Sequence, residues 1–302
     1  MNSIINVNKL EKAFSELKVL KDLSFEVKKG EIFGIIGPDG AGKTTLLRIL
    51  AGLLEQDAGD IALLDYKLPK DAEKVKEHIG YMPQKFSLYT DLTLEENIKF
   101  FAEIYQIKKS ELYERLDVLF KMTRLFAFKN YLAGNLSGGM KQKLALICAL
   151  IYRPEILILD EPTTGVDPVS RREFWELLQQ ISAEGTTVLI STPYMDEAEW
   201  CSRIGLIYKG KMLVIDTPKN LKNGFKFFVL EIYFDNNKSE FLKKLQNMEE
   251  IMDIKVLGNK INLIVKEKEA VNKIINSYKN LKIRMANPSI EDIFITKIKK
   301  EI

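Results

Sequence analysis

Residues Gly37, Pro38, Asp39, Gly40, Ala41, Gly42, Lys43 and Thr44 fit the pattern G-x-x-x-x-G-K-[ST] at every fixed position. The flanks narrow the fold further. An apolar, strand-like run at 31–36 (EIFGII) precedes the loop, and a helical pattern from Thr44 to Leu53 follows it. A strand aims such a loop, glycines let its backbone wrap tightly with N–H groups turned inward, and a helix N-terminus adds a dipole that favours an anion. In that geometry Lys43 reaches the β- and γ-phosphates of a nucleotide, and the Thr44 hydroxyl coordinates Mg²⁺. A glycine-rich turn without a ligand would leave Lys43 and Thr44 unexplained.

Beyond the loop, strand and helix signals alternate. Runs at 156–159 (ILIL) and 187–190 (TVLI) read as buried parallel strands, separated by helical patterns at 141–151 and 171–183. Residues 204–208 and 212–215, joined by Lys209-Gly210-Lys211, read as a closing hairpin. Between Tyr89 and Asn135 the spacing becomes helical: Leu94, Ile98, Phe101, Ile104 and Tyr105 recur at three and four residues, then Leu112, Leu116, Leu119 and Phe120. This predicts an inserted helical subdomain. After Pro218 the order is strand (225–234), helix (238–246), strands (around 254–256 and 261–265), helix (270–278) and strand (282–285). A helix follows from Ser289, giving a small βαββαβ sandwich with its own core.

Composition bounds the function classes. With 302 residues, 46% hydrophobic and 29% charged, the chain can bury a core without disulfide or metal staples. Its 45 basic and 42 acidic residues leave a net charge of +3, so no nucleic-acid partner is expected. Cys148 and Cys201 are too few and too far apart for a disulfide framework or a zinc site, which fits a reducing compartment. No apolar run approaches 18 residues, so any membrane role is expected through a partner. Residues 1–10 lack the basic-then-apolar pattern of a signal peptide, and none is expected.

A second chemical element is the strand that ends in Asp160-Glu161, which delivers carboxylates to the carboxyl edge of a sheet. Alone, the pair reads as helix-capping or solvated acids. Coupled to the loop, Asp160 can hold Mg²⁺ through water, and Glu161 can orient or polarise the water attacking the γ-phosphate. A third element is Leu136-Ser137-Gly138-Gly139-Met140-Lys141-Gln142, opening a helix shortly before Asp160, together with Gln84 after the strand-like 79–82.

In combination these motifs resemble the ATP-binding cassette (ABC) ATPases, with Met140 in the last place of the LSGGQ-type signature. The resemblance covers residues from about 4 to 217. It implies a P-loop NTPase fold of the α/β class: an ABC-type nucleotide-binding domain at 1–220, its helical subdomain at about 89–150, and a small α+β accessory domain at 225–302. It also implies ATP and Mg²⁺ as ligands. Phe14 matches the aromatic that stacks on adenine; a lone Phe is more often core, but a place before the first strand favours stacking. Thr45 joins the loop residues among the nucleotide contacts. Gln84 matches the glutamine that contacts Mg²⁺ and the attacking water and relays to the membrane domain, and Asp167 matches the loop that touches the opposite subunit. Without the resemblance, Gln84 and Asp167 are turn residues. Ser137, Gly138 and Gly139 match the signature that closes over ATP held by another subunit, implying a head-to-tail dimer of ATPase subunits.

One departure is visible. Where the family usually carries a histidine (S-T-H-x-M-x-E-A), this chain reads Ser191-Thr192-Pro193-Tyr194-Met195-Asp196-Glu197-Ala198, and Pro193 offers neither imidazole nor N–H to a phosphate. The only histidine, His78, reads as a surface residue. Retained but altered hydrolysis is expected, because Lys43 and Glu161 are present. The C-terminal Asn287-Pro288-Ser289-Ile290-Glu291-Asp292-Ile293-Phe294 resembles the ending of drug- and antibiotic-export cassettes. It also reads as a helix start capped by Ser289, with acids in the first turn. The resemblance implies a separate transmembrane permease, contacted near Gln84 to Thr93 with Phe86, Leu88 and Tyr89 as contacts. It implies a place at the cytoplasmic face of the membrane, held there by that permease. An importer cassette or a slow-hydrolysing regulatory module remains as an alternative.

Overall fold

The computed structural model describes residues 3–234, 238–246, 248–278 and 280–301. Two compact units divide the chain, Met1–Ile215 and Asp216–Ile302.

The first unit opens with β1 (Ser3–Phe14), β2 (Leu17–Lys28) and β3 (Ile32–Ile36), followed by α1 (Lys43–Leu50). Next come β4 (Ala58–Leu63), β5 (Tyr66–Leu68), α2 (Ala72–His78) and β6 (Ile79–Met82). A helical stretch holds α3 (Leu94–Ile104), α4 (Lys109–Thr123) and α5 (Gly138–Leu150). The unit closes with β7 (Ile156–Asp160), α6 (Pro168–Ala183), β8 (Thr187–Thr192), β9 (Arg203–Tyr208) and β10 (Lys211–Asp216).

Its central sheet has the order β10-β9-β3-β8-β7-β6, and the pairs β9/β3, β3/β8, β8/β7 and β7/β6 are parallel. β3, β7 and β8 are buried at every position, which is why their sequences are continuous apolar runs rather than alternating ones. A second sheet, β2-β1-β4-β5, is antiparallel. α1 lies in one core with both sheets: Leu46, Leu47, Ile49 and Leu50 pack with Leu10, Leu20 and Leu23 and with Ile35, Ile158 and Leu189. This antiparallel sheet was not anticipated from sequence. Phe14 is accordingly not ahead of the first strand but is the last residue of β1, paired with Leu17.

The helical stretch has its own core of Leu94, Ile98, Leu112, Leu116, Phe120, Leu144 and Ile147. Thr93 caps α3 in a reciprocal capping box with Glu96. Asn97 is fully buried one turn later. Its carboxamide accepts from the Tyr89 N–H (3.0 Å) and donates to the carbonyls of Tyr89 (2.9 Å) and Thr93 (3.0 Å), tying residues 89–93 to the helix.

The second unit contains α7 (Pro218–Asn223), β11 (Phe228–Tyr233), α8 (Lys238–Gln246), β12 (Ile251–Leu257), β13 (Lys260–Val265), α9 (Lys268–Ser277), β14 (Lys282–Ala286) and α10 (Ile290–Glu301). From β11 to β14 the order is βαββαβ. The sheet runs β12-β13-β11-β14, and every neighbouring pair is antiparallel. Leu230, Ile232, Ile261, Leu263 and Val265 form its core with Val271 and Ile274 of α9. The Ser289 hydroxyl accepts from the Asp292 N–H (3.1 Å), while the Asp292 carboxylate accepts from the Ser289 N–H (2.8 Å), closing the predicted cap of α10. Among the described residues no helix is long and apolar enough to cross a membrane.

Replacing Asn97 by Leu removes three side-chain bonds to the main chain and leaves the Tyr89 N–H without the carboxamide that accepts from it, while the Thr93 carbonyl keeps the main-chain N–H of residue 97. We expect a loss of about 2–3 kcal/mol, read as a lower urea midpoint with an unchanged slope.

Candidate nucleotide site at the carboxyl edge of the parallel sheet

Four adjacent strands deliver the chemistry. β3, β8, β7 and β6 lie side by side in that order, and their carboxyl ends lead respectively into Gly37, Pro193, Glu161 and Gln84. A parallel sheet brings such ends to one edge, and their proximity here follows from strand order alone.

The loop after β3 needs its first glycine for a reason that is not phosphate binding. A Cβ on Gly37 would stand 2.2 Å from the Ile207 carbonyl oxygen of β9. Gly42, which opens α1, has φ +101, and a Cβ there would meet Leu20 at 2.8 Å. Gly40 also has positive φ (+75) but faces open space. Pro38, Asp39, Ala41 and Thr45 complete the loop and the first turn of α1, with Asp39 exposed and Ala41 buried.

Lys43 is only 3% exposed. Its ammonium donates to the carbonyls of Gly37 (2.8 Å) and Pro38 (3.1 Å) and pairs with Glu161 Oε1 at 2.9 Å. The other oxygen of Glu161 accepts from the Gln84 carboxamide at 2.9 Å. Glu161 is held in the left-handed region, φ +49, and its N–H donates to both the carbonyl and the hydroxyl oxygen of Ser191 at 3.1 Å. Backbone strain of this kind needs surroundings that enforce it. The Ser191 hydroxyl in turn donates to Asp160 Oδ1 at 2.7 Å, and the Thr44 hydroxyl donates to the same oxygen at 3.2 Å. Oδ2 of Asp160 is buried with no hydrogen-bond partner among the described residues. Burial pushes the Asp160 carboxyl above its ordinary range, and the nearby Glu161 charge adds to this against the hydroxyl donors.

The structure thus brings together Lys43, Thr44, Gln84, Asp160 and Glu161. It places the other sequence candidates at separate points. Phe14 is 47% exposed at the end of β1, with the Lys12 ammonium 5.6 Å from its ring centroid. Ser137 and Gly138 are exposed at the start of α5, where Ser137 accepts from the Met140 N–H (3.3 Å). Gly139 is buried against Ser170 of α6. Asp167 caps α6 by accepting from the Val169 and Ser170 N–H groups at 3.1 and 2.9 Å. His78 ends α2, stacked on Tyr66 and 3.3 Å from Glu155. Both cysteines are buried, which raises their pKa and leaves them as small packed hydrophobes.

Sequence reasoning missed Ser191 and Thr192. Both are fully buried polar residues that follow the apolar run 188–190 at the end of β8, the same signal that drew attention to Asp160.

Comparison with known proteins agrees with this geometry. A family model described as ABC transporter matches residues 20–164. The chain is 31% identical over 302 residues to the linearmycin resistance ATP-binding protein LnrL of Bacillus subtilis (strain 168), covering 97% of each chain. This chain belongs to the ABC transporter ATP-binding proteins. Another member of the family is the probable multidrug ABC transporter ATP-binding protein YbhF of Escherichia coli (strain K12). It is 42% identical over 220 residues, a match covering 73% of this cassette chain and 38% of YbhF. Among solved structures, the dimeric bacterial ABC transporter cassette MJ0796 superposes with a TM-score of 0.65 at 27% identity, covering 70% of this cassette chain and 98% of that one.

Two outcomes follow for the loop and its acid. Gly37→Ala forces the Ile207 carbonyl to move and should cost about 3 kcal/mol, whereas Gly40→Ala carries only local strain of about 1 kcal/mol; denaturant titration of both separates the causes. Because the folded pKa of Asp160 is raised, its destabilising effect sets in as pH rises above 3.8 and is complete above the raised value. Asp160→Asn should therefore unfold at a higher temperature than the parent at neutral pH, and the gap should close as pH falls toward 3.8.

Proposed function

We propose that this chain is the ATP-hydrolysing subunit of an ABC exporter, driving an unidentified substrate through a separate transmembrane permease. The observation that carries the reading is the convergence on one buried carboxylate, Glu161, of Lys43 and Gln84 at 2.9 Å each. Lys43 is the group that phosphates would attract, so ATP competes with Glu161 for it. Once the β- and γ-phosphates take the ammonium, Glu161 is released to accept a proton from the attacking water, and Gln84 is placed to orient that water. Asp160 and Thr44 fit a magnesium ion: the buried Oδ2 of Asp160 is an unsatisfied hard oxygen, and the Thr44 hydroxyl stands beside it. A bound Mg²⁺ would offset phosphate charge there.

Lys43 and Glu161 are both present, so turnover is retained, and it is altered because Pro193 gives the turn after β8 no side-chain donor. Phe14 is exposed enough to stack on adenine. Ser137 and Gly138, at a helix N-terminus facing solvent, can meet the phosphates of a nucleotide on a second subunit. We assign the cassette to residues 1–220, with its helical subdomain at about 89–150, and an accessory α+β domain to 225–302. A cleft lined by Met82, Pro83, Leu88, Phe101, Tyr105 and Tyr152, close to the Gln84 that touches Glu161, is the assigned dock for the permease. That dock would hold the chain at the cytoplasmic face of a membrane. Export is favoured over import because the names of YbhF and LnrL refer to multidrug transport and antibiotic resistance.

Phosphate release from Mg·ATP tests this directly. Glu161→Gln should lower kcat by about a hundredfold or more while ATP still binds, and the variant should elute as a dimer with ATP. Equal rates for parent and variant would sink the reading.

A further inference from the structure

Glu197 has no part in the site described so far, yet it is 1% exposed and fully engaged. Its Oε1 accepts from the Thr163 hydroxyl at 2.7 Å and its Oε2 from the Thr192 hydroxyl at 2.5 Å. Thr163 lies in the loop two residues after Glu161, and Thr192 is the last residue of β8. One carboxylate oxygen therefore holds the loop after β7 and the other the end of β8. The Thr192 hydroxyl also accepts from the Tyr194 N–H at 3.0 Å, so its single proton is committed to Glu197. Arg171 of α6 supplies the opposing charge, Nε to Oε1 at 3.6 Å, with its guanidinium 4.3 Å from the Tyr194 ring centroid.

We propose that Glu197 is a positioning residue for hydrolysis: it locks the loop carrying Glu161 to the turn that follows β8. This rests on the ATPase reading above. The loop is joined to β8 by two successive rungs. Ser191 holds Glu161 directly, through the bonds to its N–H, and Thr192 holds Thr163 through Glu197. Between the rungs Glu161 stays at φ +49, and the Thr164 hydroxyl reaches its Oε2 at 3.4 Å. Burying a carboxylate costs free energy that an apolar side chain would avoid, so packing does not account for it. With Pro193 offering no side-chain donor, alignment of this turn falls to its anchors. The third leg, Arg171, connects the lock to the helix capped by Asp167.

The test is steady-state Mg·ATP turnover by the full chain and its Thr163→Val, Thr163→Ser and Glu197→Gln variants. Thr163→Val keeps the shape of a side chain that is 1% exposed and removes its hydroxyl; Thr163→Ser keeps the hydroxyl. We expect Thr163→Val and Glu197→Gln to lower kcat by about tenfold or more with KM for ATP within about twofold, and Thr163→Ser to stay close to the parent. Unchanged kcat in Thr163→Val, or equal loss in Thr163→Ser, overturns the lock while an active parent leaves the ATPase reading standing. An inactive parent overturns both. Should Glu197→Gln fail to fold, the Val and Ser pair decides alone.

Discussion

A buried contact between opposite charges, Lys43 to Glu161 at 2.9 Å, organises the first unit. Lys43 opens the helix that follows β3 and Glu161 follows β7, and these strands are not neighbours, since β8 lies between them. The pair therefore exists only when the parallel sheet is in register. Its cost is large, because two ions lose water at once, and it is met by further hydrogen bonds. Lys43 uses two carbonyls, and the Glu161 carboxylate uses Gln84 and, at 3.4 Å, the Thr164 hydroxyl. Such a pair is a poor way to gain stability and a good way to hold two reactive groups ready for a ligand that competes for one of them.

β8 has an unusual place in this scheme. It contributes no group assigned to phosphate or metal, yet its last residues support Asp160, Glu161 and the start of the phosphate loop. Ser191 pins Asp160 by its side chain and Glu161 by its main chain, and the Thr192 carbonyl accepts from the Gly37 N–H at 3.3 Å. A strand in the middle of a parallel sheet is rigid because it is hydrogen-bonded on both edges and buried on both faces. Polar residues at its end inherit that rigidity.

Much of this was legible in the sequence, and the reasons differ by element. Continuous apolar runs exposed β3, β7 and β8, because burial on both faces leaves no polar positions to blur the pattern. In the accessory unit, strand and helix periods switch cleanly, and the βαββαβ order could be read in advance. β1 and β2 could not, because their pairing has repeated irregularities, with Lys9 and Asp22 at positive φ. Each bulge resets the period of two on which a strand reading depends. Thr44, Asp160 and Glu161 were visible because motif and strand end coincide. The role of Glu197 was not: the S-T-H-x-M-x-E-A pattern sets it apart from the exposed Asp196, but its bonds to Thr163 and Thr192 exist only in the folded chain.

The edge of the sheet concentrates groups that a stable fold would avoid. Asp160 carries an orphaned oxygen and a raised pKa, Glu161 carries backbone strain, and Glu197 is a carboxylate with no exposed surface to speak of. None of these arises from packing economy, since Leu or Val could fill the same volumes at lower cost. They lie at the carboxyl ends of adjacent strands or in the segments that follow, and the middles of the strands behind them are apolar. The core thus supplies the surplus stability that lets the edge remain strained, charged and incompletely paired. Pro193 fits that division: it stiffens the turn between Thr192 and Tyr194 without adding another buried polar group, so the chemistry of the turn is left to the hydroxyl before it and the carboxylate that holds it.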